Sequence, residues 1–148
     1  MRIARLDRGQ GPELALVSAD ARHLRPTSIT APLETLLDAA GVARIRAAAG
    51  APESFAHTAL LPPLTPRLIV GVGLNYRAHA AEQGRALPDA PPLFLKNPRS
   101  LAPPFGTLPL HPASDALDYE AELGIVIGRP VFACTPAQAE AAIAGWLV

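Results

Sequence analysis

Apolar and polar residues alternate in two short runs at the start of the chain, MRIARLDR and ELALVSAD, and Gly9-Gln10-Gly11-Pro12 lies between them. Alternation on both sides of a glycine-rich turn predicts an N-terminal β-hairpin. From Pro32 the period lengthens. Leu33, Leu36, Leu37 and Ala40 recur at i, i+3, i+4 and i+7, with Glu34 and Asp38 early and Arg44 and Arg46 late along the dipole, so a helical segment is predicted over 32–49. Gly41 and Gly50 are its expected stops. LLPPLTPR, residues 60–67, then places three prolines in eight residues and reads as a linker. The boundary is set near 65, giving a small α/β domain over 1–65 and a second domain over 66–148.

The second part opens with LIVGVG, an apolar β-like run, and LNYRAHAAEQG, which predicts a short helix ending at Gly84. A strand entering a Gly-x-Gly turn raises a dinucleotide-binding reading. That motif needs a third small residue for helix packing, and Tyr76 stands there; no strand with an acidic end follows, so the reading is set aside. Residues 88–112 contain eight prolines, which leaves room only for a short strand at Leu93–Lys96. A strand that becomes more apolar is predicted over 117–128, from LDYEAELGIVIG. Thr135-Pro136-Ala137-Gln138 has the form of a helix start, with threonine as cap and glutamine three residues later. That helix is expected to run on, with Ala144–Val148 beginning another buried strand and the chain stopping in mid-fold.

Composition narrows the function classes. At 148 residues and 49% hydrophobic content, one soluble globular domain, or a small domain joined to part of another, is expected. The 13 basic and 13 acidic residues cancel, and no basic stripe with interleaved aromatics occurs, so neither nucleic acid nor an anionic membrane is the expected partner. A small molecule is. The opening residues lack the apolar segment of a signal peptide and no apolar run reaches about 18 residues, which predicts a cytoplasmic protein. Cys134 is the single cysteine, expected to be a buried small apolar residue. Lys96 is the single lysine among the 13 basic residues, and a compact ammonium is not equivalent to a guanidinium.

Two constellations carry candidate chemistry. On a strand, Glu120 and Glu122 would project to one face roughly 7 Å apart, and a hard divalent cation would relieve their repulsion. The plainer alternative, commoner for an isolated Glu-x-Glu, is the solvated outer face of a half-exposed strand. His79 and Glu82, three apart on a helix, would share a face, so that the carboxylate orients the imidazole as a general base activating water. Its plainer alternative is an exposed ion pair contributing a few tenths of a kcal/mol. His23, His57 and His111 have no acid at useful spacing.

GVGLNYRAHAAE, PPLFLKNPRSLAPPFGTLPLHP and LDYEAELGIVIGRP, in that order and spacing, resemble the fumarylacetoacetate hydrolase family from Leu68 to Val148. The N-terminal segment resembles the small leading domain of its bacterial members. The resemblance implies an α+β fold, a mixed β-roll of which this chain holds the first half, and a homodimer in the complete form. It implies Glu120 and Glu122 as Mg²⁺ or Mn²⁺ ligands, His79 and Glu82 as base and orienting partner, and Lys96 beside the substrate. The implied reaction is metal-dependent cleavage of a C–C bond in 2,4-dioxo acids of the acylpyruvate or fumarylacetoacetate type, as in aromatic catabolism. Related members decarboxylate, hydrate or isomerise other 2-oxo acids. The family's third metal carboxylate follows a Gly-Tyr or Gly-Trp segment, and this chain ends two residues after Gly145-Trp146, truncated relative to the family pattern. A non-catalytic fragment or binding module is therefore the alternative of a different class.

Overall fold

A computed structural model describes residues 1–148, Thr58 by its backbone alone. It contains both helices and strands, an α+β chain, and divides into two compact units, residues 1–64 with 102–148 and residues Thr65–Leu101. The expected N-terminal hairpin is strand β1, Arg2–Asp7, against β2, Pro12–Val17, in an antiparallel register pairing Arg2 with Val17 and Asp7 with Pro12. Its turn is held by Asp7, whose Oδ1 accepts from the Gly9 and Gly11 amides at 2.7 and 3.1 Å. Both glycines have φ near +90°, which side chains disfavour, and so the turn demands them. Arg8 pairs with Glu13 and Glu53; the hydrogen bond its guanidinium donates to the Glu13 carboxylate is the chief reason its pKa is raised.

β3, Leu24–Pro26, and β4, Leu60–Leu61, complete a four-stranded sheet of order β3-β2-β1-β4. Successive residues of β2 point to opposite faces, and each meets its own layer. Leu14 packs with Ile29, Leu33, Leu36 and Ile45; Ala15 and Leu6 pack with Leu24, flanked by Phe55 and Leu60. The first layer is supplied by helix α1, Ala39–Ala47, through Ile45. Thr27, buried among these apolar groups, donates from Oγ1 to the Leu14 carbonyl at 2.7 Å and accepts from the Ile29 amide at 3.2 Å, so its hydroxyl is satisfied.

The helix expected over 32–49 is instead a 3-10 turn at Leu33–Thr35 followed by α1. Asp38 divides them. Its carboxylate accepts from the Gly41 amide at 2.7 Å and starts a new helix, overriding the continuous leucine period. Gly41 is thus the third residue of α1 and not a stop: a Cβ there would stand 2.6 Å from Leu36 Cα and its carbonyl oxygen.

In the unit Thr65–Leu101, β5, Ile69–Val72, pairs antiparallel with β6, Leu93–Lys96, the short strand expected between the prolines. Helix α2, Arg77–Glu82, lies in the connection and ends at Gly84, φ +62°, where the Gly84 and Arg85 amides donate to the Ala81 and Ala80 carbonyls. The Gly-x-Gly turn serves the ladder: a Cβ on Gly71 would fall 2.3 Å from the Phe94 ring, and the Gly73 amide donates to the Pro92 carbonyl at 2.8 Å.

The strand predicted over 117–128 is much shorter. β7 is Gly124–Ile127, paired antiparallel with β8, Ile143–Leu147, and residues 117–123 have irregular, exposed backbone. The pairing explains the difference: Gly124 opposes Leu147, and no strand among the described residues faces 117–123. Helix α3, Pro136–Glu140, starts at the expected Thr135 capping box but stops after five residues, giving way to β8. Every ladder among the described residues is antiparallel, and residues 66–148 form the separate two-stranded pairs β5-β6 and β7-β8, so the expected mixed sheet of a roll is not formed among them.

Candidate active site

His79 and Glu82 are brought together. Both lie on α2, one turn apart, with Nδ1 of His79 3.8 Å from Glu82 Oε2 and side-chain exposures of 49% and 78%. The helix places them there because residues three apart share a face, while Ala80, on the opposite face, is buried. At 3.8 Å the pair is a close electrostatic contact and not a formed hydrogen bond. The other ring nitrogen, Nε2, lies 2.8 Å from the side-chain nitrogen of Gln83. Gln83 did not emerge from the sequence, although the i, i+4 spacing that follows His79 is the same kind of signal that found Glu82.

Lys96 closes β6 in the same unit, opposite Ile69, and its Nζ stands 5.8 Å from the centroid of the Phe94 ring. The alternation of the strand causes this, since residues two apart share a face and the ring offers its negative π surface to the ammonium. Lys96 thus sits at the end of an exposed strand with its charge in reach of solvent.

Glu120 and Glu122 belong to the other unit. They precede β7 in exposed irregular backbone, so the expected common strand face is not formed. Oxygen donors of this kind suit Mg²⁺ or Mn²⁺, which hold one or two protein carboxylates together with water or substrate oxygens. Among the described residues no cluster of three or more histidine, cysteine or acidic ligands is gathered. The donor type fits a hard divalent ion, although these carboxylates are not gathered with further ligands among the described residues. Cys134 is half-buried and outside both constellations. No helix among the described residues is long and apolar enough to cross a membrane.

The family profile described as fumarylacetoacetate (FAA) hydrolase C-terminal matches residues 68–148, a segment that contains His79, Glu82, Lys96, Glu120 and Glu122. The chain belongs to the fumarylacetoacetate hydrolase family. A mitochondrial oxaloacetate tautomerase of Arabidopsis thaliana is 49% identical over 61 residues, 41% of this chain and 27% of that protein. A mitochondrial oxaloacetate tautomerase of Homo sapiens is 34% identical over 125 residues, 83% of this chain and 40% of that protein. A homologue of fumarylacetoacetate hydrolase domain-containing protein 2 in Dictyostelium discoideum is 35% identical over 86 residues, 58% of this chain and 28% of its own length. The chain therefore spans well under half the length of these relatives.

Proposed function

We propose that this chain supplies the base and part of the metal site of an enzyme that moves a proton next to the keto group of a 2-oxo acid. The observation that carries the reading is the His79–Glu82 pair on α2, inside the segment the family profile matches. His79 takes a proton from the carbon beside the carbonyl, the C–H electron pair becomes a C–C double bond, and the carbonyl oxygen receives a proton in turn. Glu82 stabilises the imidazolium formed at the first step. Lys96 attracts the carboxylate of the substrate. Glu120 and Glu122 would hold Mg²⁺ or Mn²⁺, which when bound draws negative charge towards the keto oxygen.

This places keto–enol interconversion of a substrate such as oxaloacetate ahead of the C–C hydrolysis suggested by the sequence, because the plant and human relatives are named oxaloacetate tautomerases. Hydrolysis of a 2,4-dioxo acid is the second reading, favoured by the family's own description; there His79 would activate water instead of a carbon acid. A second copy of the chain and a cytoplasmic location belong to the same proposal; the plant and human relatives are named as mitochondrial proteins.

The test follows enol absorbance of oxaloacetate with Mg²⁺ and the purified chain. His79→Ala should slow the catalysed interconversion by about 10² to 10⁴, and equal rates for the two proteins would refute the assignment. Release of pyruvate from an acylpyruvate, in parallel, separates the hydrolytic reading.

A further inference from the structure

The two ring nitrogens of His79 face different side chains. Nδ1 lies 3.8 Å from Glu82 Oε2 and Nε2 lies 2.8 Å from the Gln83 amide nitrogen. An amide nitrogen only donates, so the ring nitrogen it meets must carry a lone pair. A neutral imidazole with its lone pair on Nε2 has its hydrogen on Nδ1, where the Glu82 carboxylate attracts it. Turning the amide over would set Oε1 against Nε2, force the hydrogen onto Nε2 and leave the Nδ1 lone pair facing a carboxylate. Glu82 and Gln83 therefore select one tautomer together.

We propose that Gln83 is a positioning residue, holding His79 as its Nδ1–H tautomer with the basic electron pair on Nε2. The inference deepens the reading of His79 as the base and rests on it for its catalytic meaning, but the tautomer can be observed without turnover. A base must offer its lone pair to the substrate, and here that pair lies on the nitrogen farther from Glu82. The Gln83 amide occupies it until a substrate proton takes the place of the amide N–H. Because the helix face is exposed, a hydrogen bond of ordinary net strength sets the tautomer ratio by about two- to tenfold.

The experiment uses the whole chain with ¹⁵N-labelled histidine at alkaline pH, with the His79 signals assigned by their loss in His79→Gln. Histidine free in water favours Nε2–H, so a spectrum dominated by Nδ1–H is itself diagnostic. Gln83→Leu should shift the ratio towards Nε2–H by about two- to tenfold. Gln83→Lys, a donor without an acceptor, should restore Nδ1–H, and Gln83→Glu, an acceptor without a donor, should drive the hydrogen to Nε2. Leu, Lys and Glu match Gln in helix propensity, so α2 is kept in each variant. An unchanged ratio across wild type and all three variants would overturn the proposal. If the ratios respond as stated but His79→Ala retains full turnover, the positioning role stands and the assignment of His79 as base is the part that fails.

Discussion

Residues 1–64 bury their large aliphatic side chains, and residues 68–148 expose theirs. Leu6, Leu14, Leu24 and Ile45 are the large side chains that are fully enclosed, and all lie in the first segment. Apart from Met1, every large hydrophobic residue exposed among the described residues is at Leu68 or later, Leu95, Ile125, Ile127 and Trp146 among them. The contrast is one of layers. β2 has a helix over one face and the 55–60 segment over the other, whereas β5-β6 and β7-β8 are two-stranded ladders. A pair of strands without a second layer cannot enclose its apolar face, whatever its sequence pattern asks for. The segment that the family profile matches is thus the one whose own residues cover it least.

Equivalent substitutions in the two segments measure that difference. Ile45→Ala removes a side chain enclosed by the first cluster and should cost about 2 to 5 kcal/mol, a large share of a small domain's stability. Ile125→Ala, at 53% exposure, should stay within about 0.5 kcal/mol. Urea denaturation of both variants decides it. An Ile125→Ala cost equal to that of Ile45→Ala would mean that residues 124–127 are covered in solution, by a second copy or another partner, and the contrast would fall.

The same division governs what could be read in advance. The N-terminal hairpin was legible because alternation and a glycine turn are local signals, and Asp7 reinforces them locally. The break at Asp38 was harder to see, since the leucine period runs across it and only the carboxylate's bond to Gly41 ends one element and begins the next. Residues 117–123 have strand-like composition, but a strand is a relation to a neighbour, and β8 reaches only as far as Gly124. The site shares that dependence: Glu120 and Glu122 take a common face only if those residues are paired. The His79–Glu82 contact was legible because a helix supplies its own geometry, and Gln83 obeys the same rule one position further along.

Two glycines sharpen the comparison at smaller energies. A Cβ on Gly41 would meet Leu36 backbone at 2.6 Å, and backbone within a packed layer cannot move aside. Gly41→Ala should cost about 1 to 3 kcal/mol, even after the gain of about 1 kcal/mol in helix propensity. A Cβ on Gly71 would come closer still, 2.3 Å from the Phe94 ring, yet that ring is half exposed and free to rotate towards solvent. Gly71→Ala should therefore cost less than about 1 kcal/mol. Thermal melts of the two variants give the ranking, and the reverse order would show that Phe94 is fixed in place by something covering it.

The smallest effect is at the helix caps, where the chemistry is nearly identical and only the surroundings differ. Asp38 accepts from the Gly41 amide at 2.7 Å, and Thr135 accepts from the Gln138 amide at 3.3 Å while Gln138 reaches back to the Thr135 amide at 2.8 Å. By cap chemistry alone, alanine at either site costs about 1 kcal/mol of helix stability. Helix α1 inserts Ile45 into the first cluster, so fraying its start loosens the core and Asp38→Ala should lower global stability by about that amount. Helix α3 has no buried residue, so Thr135→Ala should fray it locally without shifting the global transition. Amide exchange separates the two outcomes: Asp38→Ala accelerates exchange throughout β1 and β2, while Thr135→Ala does so only around 136–141. Global acceleration in Thr135→Ala would show that α3 is coupled to the folded core and that residues 68–148 share its stability.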